Sequence, residues 1–196
     1  EGYLGYNEGL APRFDVAKAQ ALMAEAGYGD GLTISMMCPN NRYVKDAMIC
    51  EAAANMLAKI KITVNLSTMP KAQYWPKYDE RAADIMMIGW HSDTEDSANF
   101  FEFLAMTPNA DTGRGQYNSG AYSNAEVDSL TEASLLETDD SKRADMLRKI
   151  EKILFDEAAF VPLHWQDLSW AARKGVGIEA VINVQNFPYL GDLVID

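Results

Sequence analysis

The segment Asp84-Ile85-Met86-Met87-Ile88-Gly89-Trp90 constrains the fold more than any other stretch of this chain. Its apolar residues do not alternate with polar ones, so a strand built from it must be covered on both faces. That pattern predicts a central strand of a covered parallel sheet, which in turn requires crossover helices nearby in the sequence. They are present. Asp15 is placed to cap a helix carrying Val16, Ala19, Leu22, Met23 and Ala26 on one face, and Gly27 supplies a left-handed stop. Leu32, Ile34, Met36 and Cys38 then alternate with Thr33, Ser35 and Met37 as in a strand, until Pro39-Asn40-Asn41 breaks it. A second helix is predicted from about Arg42 to Ile60, with Val44, Met48, Ala52, Met56 and Ile60 as its apolar stripe. The following strand turns Ile60, Ile62, Val64 and Leu66 one way and Lys61, Thr63, Asn65 and Ser67 the other. A short helix around Lys71–Glu80 leads into Asp84–Trp90. The fold class is α/β: an open mixed, mostly parallel sheet flanked by helices.

The remainder is more helical. Ser123 and Glu126 are spaced as a capping box, opening a helix to about Glu137 with Val127, Leu130, Ala133 and Leu135 largely on one side. Asp140 begins another, whose buried stripe is Ala144, Leu147, Ile150 and Leu154. Two short β-like pieces follow, Phe160–Trp165 and Leu168–Arg173, and the tail from Gly175 to Asp196 is only weakly patterned. Thr107–Ala121, rich in Asn, Gly and Asp, is expected to be an irregular surface loop.

Composition narrows the function classes. With 196 residues the chain is long enough for one domain, or one with an appendage, and 48% hydrophobic residues suffice for a core. A net charge of −12 and no basic stripe beyond Arg173-Lys174 argue against nucleic acid, whose phosphates need clustered cations. No apolar run reaches the ~18 residues of a membrane-spanning helix. Glu1-Gly2-Tyr3-Leu4-Gly5 lacks the basic start and apolar stretch of a signal peptide, which fits a cytoplasmic protein, a mature chain or an excised piece of a longer one. Cys38 and Cys50 fit no CxxC or zinc spacing. They could pair in an oxidising compartment. With Cys38 at a strand end and Cys50 inside the next helix, two buried free thiols are expected instead.

In open parallel sheets, ligands sit beyond the carboxyl ends of the strands. The loop leaving Asp84–Trp90 is Trp90-His91-Ser92-Asp93-Thr94-Glu95-Asp96: an indole, an imidazole and three carboxylates. It admits four uses. Trp90 can wall a binding site in which Asp93 accepts hydrogen bonds from an amine-bearing ligand. His91, Asp93 and Glu95 can hold a metal, with His164 coming from far along the chain. Paired carboxylates, Glu102 included, can support a hydrolase. Finally, Trp90 can be core packing and the carboxylates a solvated, helix-capping loop before Asn99–Ala105. The sequence has no G-x-S-x-G, H-E-x-x-H, P-loop or G-x-G-x-x-G. A binding module is favoured over an enzyme, with no cofactor and no resident metal. The runner-up is a metal-dependent or carboxylate-pair hydrolase centred on His91, Asp93 and Glu95.

Several segments together resemble the carboxy-terminal part of the solute-binding proteins of the peptide/opine/nickel ABC importers, family 5. Asp15-Val16-Ala17-Lys18-Ala19 through Glu25-Ala26-Gly27-Tyr28 is similar to that family's D-x-x-K-A…L-x-E-A-G-Y helix. Leu57-Ala58-Lys59-Ile60-Lys61-Ile62-Thr63-Val64 resembles its L-x-K-I-G-I-x-V step, with Lys61 in place of Gly. Asp84–Asp93 resembles D-(apolar run)-G-W-x-x-D. Tyr122–Asp128, Lys142-Arg143, Val161–His164 and Arg173–Gly175 resemble Y-S-N-P-x-V-D…K-R…I-P-L-H…R-K-G, with Ala125 in place of Pro. Asp96-Ser97 stands where the family often has Asp-Pro.

The resemblance implies a type II periplasmic-binding-protein lobe, residues 1–196, from a two-lobed periplasmic clamp whose amino-terminal lobe is absent. The tail, 175–196, would return towards that lobe. The clamp would capture a small ligand, a peptide above all, and deliver it to ABC permease subunits in the membrane. By the same resemblance Trp90 and Asp93 contact the ligand, Asp93 at its α-ammonium, with His91 between them. His164, Trp165 and Gln166 would border the cleft.

Overall fold

The structure, a computed structural model, describes residues 2–11, 13–92, 94, 96–179, 181–182 and 187–195. They fall into two compact units: Gly9–Trp90 with Thr107–Tyr122, and Glu1–Glu8, His91–Met106 with Ser123–Asp196.

The first unit is the α/β part. In chain order it contains α1 (Val16–Glu25), β1 (Leu32–Pro39), α2 (Asp46–Leu57) with a 3-10 turn (Ala58–Ile60), β2 (Ile62–Met69), α3 (Lys71–Asp79) and β3 (Ile85–Met86). The strands form a parallel sheet in the order β2-β1-β3. Register runs from Leu32↔Ile62 to Pro39↔Met69 on one side of β1, and through Met36↔Ile85 and Met37↔Met86 on the other. Local chemistry explains the borders of α1. The Asp15 carboxylate accepts the Lys18 amide hydrogen at 2.9 Å, and Gly27 takes φ +87° after the last turn, both as expected. β2 alternates as its sequence predicts, with Ile62, Val64 and Leu66 turned inward.

Three expectations are corrected here. The middle strand is β1, and the apolar run Asp84–Trp90 contributes only a two-residue strand at the edge of the described sheet, where Ile85 is 38% exposed. An apolar run records that a segment has to be covered, not which neighbour lies beside it. Secondly, Cys38 and Cys50 are joined by a disulfide, not free. The strand end and the helix interior face each other with 6.6 Å between their Cα atoms, inside bridging range. Thirdly, α2 begins at Asp46 and buries a different face. Asp46 and Cys50 are buried and Ala53 and Leu57 half-buried, whereas Val44, Met48 and Met56 are exposed. The bridge fixes the rotation of the helix: at 3.6 residues per turn, Met48 lies roughly 200° round from Cys50. Met36, Cys38 and Cys50 form the core of this unit, with Ala53, Leu57, Val64, Leu66 and Met87 packed against them.

The second unit comprises a short helix α4 (Ala98–Phe100) running into a π turn (Phe101–Ala105), α5 (Ala125–Leu136), α6 (Asp140–Asp156) and an antiparallel pair, β4 (Val176–Gly177) with β5 (Val194–Ile195). α6 buries Ala144, Leu147, Ile150 and Leu154, the stripe its sequence predicts. α5 is capped by Asn124, not Ser123. The Asn124 side-chain oxygen accepts the amide hydrogens of Glu126 and Val127 at 2.9 and 3.2 Å, so the helix opens one residue later. Its buried face is Val127, Thr131 and Ser134, while Leu135 is exposed. Ser134 Oγ donates to the Thr131 carbonyl at 2.8 Å inside the helix, whereas the buried Thr131 Oγ1 has no hydrogen-bond partner among the described residues. Phe160–Trp165 and Leu168–Arg173 form no strands; residues 159–173 have no regular structure, and Val161 and Trp165 are strongly exposed. β-like alternation without a ladder partner leaves backbone groups to water, and Pro162 lacks a donor altogether.

Candidate functional site

All three parallel strands end on the same side of the sheet, and the segments that leave them there supply the candidate site in the first unit. The chain from β3 to Trp90 is pinned along its length. At its start, Asp84 Oδ2 accepts the Ser35 amide hydrogen at 2.8 Å and the Ser35 hydroxyl at 2.7 Å, while the Asp84 amide donates back to Ser35 Oγ at 3.0 Å. The Ser35 hydroxyl, followed by its amide, holds the Asp84 carboxyl below the usual carboxylate range. In the middle, the Met87 amide donates to Met37 at 3.3 Å and the Tyr74 hydroxyl donates to the Met87 carbonyl at 2.6 Å. At its end, the Gly89 amide donates to the Tyr43 phenolic oxygen at 2.8 Å.

Beyond the Met87 amide, side chains thus replace the strand ladder. Gly89 is needed for this: a Cβ there would stand 2.7 Å from Tyr43 Cε1. Tyr43 is itself fixed by Asp46, which is buried and accepts amide hydrogens from Arg42, Tyr43 and Ala47 at 2.9, 3.0 and 2.9 Å. Burial alone would raise the Asp46 pKa, but these amides outweigh it and hold the carboxyl below its ordinary value. Burial, aided by the neighbouring Tyr78 and Tyr43 phenols, pushes Tyr74 well above the ordinary phenol range.

Trp90 emerges half-buried at the end of this pinned segment. Its ring system lies 5.3 Å from that of Tyr117 at an interplanar angle of 54°. Tyr117 belongs to the loop that the sequence marks as irregular, and the loop is well tied. Tyr78, on α3, donates its hydroxyl to the Tyr117 carbonyl at 2.7 Å. Buried Asn118 donates to the Tyr122 carbonyl at 2.8 Å and accepts the Tyr122 amide at 3.1 Å. Asn109 Oδ1 accepts the amides of Asp111 and Thr112, and Asn109 also bridges to Arg114. The tyrosines at 43, 74, 78 and 117 and the Asp46 clamp escaped the sequence reading. The available signals were the i, i+4 pair Tyr74 and Tyr78 and the glycine directly before Trp90.

The other predicted site residues lie in the second unit or outside the described residues. His91 is exposed. Asp93 and Glu95 lie outside the described residues. Ser92 is buried and donates to the Asp96 carbonyl at 2.9 Å. Asp96 is structural: its carboxylate pairs with Arg143 at 2.7 Å and accepts the Ala98 amide at 2.8 Å, while Arg143 Nε donates to the Ser134 carbonyl at 2.8 Å. Asp96 thus holds the first amide of α4 from the residue before the N-cap, Ser97, but it is buried and ion-paired where the sequence predicts a solvated carboxylate. Among the described residues no His, Cys, Asp and Glu side chains group as a metal site. Glu102 sits half-buried on the π turn. His164, Trp165 and Gln166 are exposed on the irregular 159–173 segment, and Trp165 stands edge-on to Tyr3 with 6.2 Å between ring centroids.

Comparison with known proteins places this geometry in a family. Residues 1–112 match the profile of the bacterial extracellular solute-binding proteins, family 5 Middle. The glutathione-binding protein GsiB of Salmonella paratyphi A is 25% identical over 168 residues, covering 83% of this chain and 32% of that protein. Among solved structures, the periplasmic binding protein DppA of Helicobacter pylori, in complex with the peptide STSA, superposes with a TM-score of 0.72 at 25% identity over 82% of this chain and 31% of that one. AgaA from A. tumefaciens R10, in complex with agropinic acid, shares the fold with a TM-score of 0.80 at 21% identity, over 100% of this chain and 40% of its own. The chain spans about a third of the length of the curated relatives it matches, 32% in the case of GsiB. Over more than half of its residues, and with the same α/β architecture, this chain belongs to the bacterial extracellular solute-binding proteins of family 5.

Proposed function

We propose that this chain is the ligand-holding carboxy-terminal lobe of an extracytoplasmic solute-binding protein, which captures a small ligand, most often a peptide, and hands it to an ABC permease. The observation that carries this reading is the family match of residues 1–112, which includes Trp90 and the loop beyond it. Relatives named for glutathione and for the peptide STSA support a short peptide as the ligand, while AgaA holds agropinic acid and a further relative is named for heme. The chemistry is binding, not turnover. Trp90 provides an apolar wall, and Asp93 accepts charge-assisted hydrogen bonds from a ligand ammonium, each contributing about 1.5–3 kcal/mol. His91 offers a donor or acceptor beside them. His164, Trp165 and Gln166 are the second group of contacts.

The Cys38–Cys50 bridge supports an oxidising compartment, as a periplasmic location supplies. An amino-terminal lobe of the same protein would complete the cleft and exclude water on closure. Binding is then a population shift towards a closed form stabilised from both sides. Native mass spectrometry of the full-length protein carrying this sequence tests the reading, with a co-purified peptide as the expected result. Calorimetry with that peptide adds a second test. The isolated chain should bind far more weakly than the whole protein, and equal affinities would speak against a shared cleft.

A further inference from the structure

We propose that Tyr117 is a second ligand-contacting ring of this site, forming with Trp90 a two-ring corner that selects peptides carrying an aromatic side chain. The proposal rests on the solute-binding reading above and adds a residue and a preference to it. Three features of the first unit carry it.

Trp90 and Tyr117 are in contact at 5.3 Å and tilted by 54°. Two rings so inclined leave a corner in which a third ring can meet one face-on and the other edge-on, the arrangements their quadrupoles favour. The corner is also pre-formed. Tyr43 holds the Gly89 amide on one side, and Tyr78 holds the Tyr117 carbonyl on the other, so neither ring's backbone needs ordering when a ligand arrives. Lastly, Tyr117 keeps 37% of its surface exposed, whereas Tyr74 and Tyr78, which support it and its neighbours, are buried. Core packing would bury the ring. A firmly tied loop thus presents, beside Trp90, a ring whose exposed part a ligand can reach.

Calorimetry on the full-length protein carrying this chain, with tri-alanine and its three single-phenylalanine variants as probes, tests the proposal. At least one phenylalanine-bearing tripeptide should bind more tightly than tri-alanine. Tyr117→Ala should remove that advantage, so that the ratio of the phenylalanine-bearing probe's affinity to the tri-alanine affinity falls by roughly tenfold. Tyr117→Phe, which keeps the ring, should retain the preference and controls for folding. An advantage that survives Tyr117→Ala overturns the proposal, as does an unsubstituted protein that binds all four probes alike; both outcomes leave the solute-binding reading standing. Failure of every probe to bind the unsubstituted protein would remove the peptide reading, and this proposal with it.

Discussion

The phenolic oxygen of Tyr43 accepts the amide hydrogen of Gly89 at 2.8 Å, and the ring that carries it leaves no room for a Cβ on residue 89. This contact ends the β3 segment and sets the direction in which Trp90 leaves it. Gly89→Ala should therefore destabilise the protein by about 1–3 kcal/mol through overpacking. In a Tyr43→Ala background the same substitution should cost much less, because the obstructing ring is gone. A double-mutant cycle of urea midpoints measures the coupling, and additive effects would show that the two residues do not restrict each other.

Asp46 supports the same contact from one step further back. Its folded pKa lies below its unfolded value of 3.8, so the unfolded state binds the proton more readily. The stability it contributes is full above that value and is lost as pH falls through the lower, folded value. Asp46→Asn should lower stability at neutral pH by roughly 1–3 kcal/mol, with the difference from the parent shrinking in acid. Thermal melts from pH 7 to pH 2 follow this; a gap that widens in acid would contradict it.

The disulfide closes a short loop, with a sequence separation of 12 between Cys38 and Cys50. For a loop of that size, losing the bridge should cost about 3 kcal/mol. The double variant Cys38→Ala, Cys50→Ala, compared with the parent by denaturant unfolding, measures the loss. An unchanged midpoint would mean that the bridge adds nothing to the packing of β1 on α2.

Much of this architecture was legible in sequence, for reasons that individual residues make plain. Asp15 and Gly27 act through their own backbone neighbours, so the ends of α1 could be read locally. The stripe of α6 repeats four times, enough for its period to decide its buried face. The buried face of α2 is not legible locally because the helix has apolar residues on two faces, and the link from Cys50 to Cys38 chooses between them. The edge position of β3 depends on pairing order, which no local period encodes. In the site, Trp90 stood out by its position after an apolar run. Tyr43, Tyr78 and Tyr117 come from three separate segments and gain meaning only when the chain brings them together.

Asp96 gives a test within the second unit. Its pair with Arg143 is largely removed from water, with 10% and 21% of the two side chains exposed. Removing one partner strands the other, so Asp96→Ala should destabilise by about 3–5 kcal/mol. Replacing Asp96 and Arg143 together by Leu and Met should cost less than the single change. Equal losses would assign the effect to packing and not to charge.

The proposed role of Asp93 is tested most directly by a cycle between protein and ligand. The affinities of a free-amine tripeptide and its N-acetylated form are measured for the full-length protein and its Asp93→Asn variant. The free amine should be preferred by roughly ten- to a hundredfold in the parent, and that preference should collapse in the variant. An equal preference in both would place the ligand's ammonium elsewhere and contradict the account.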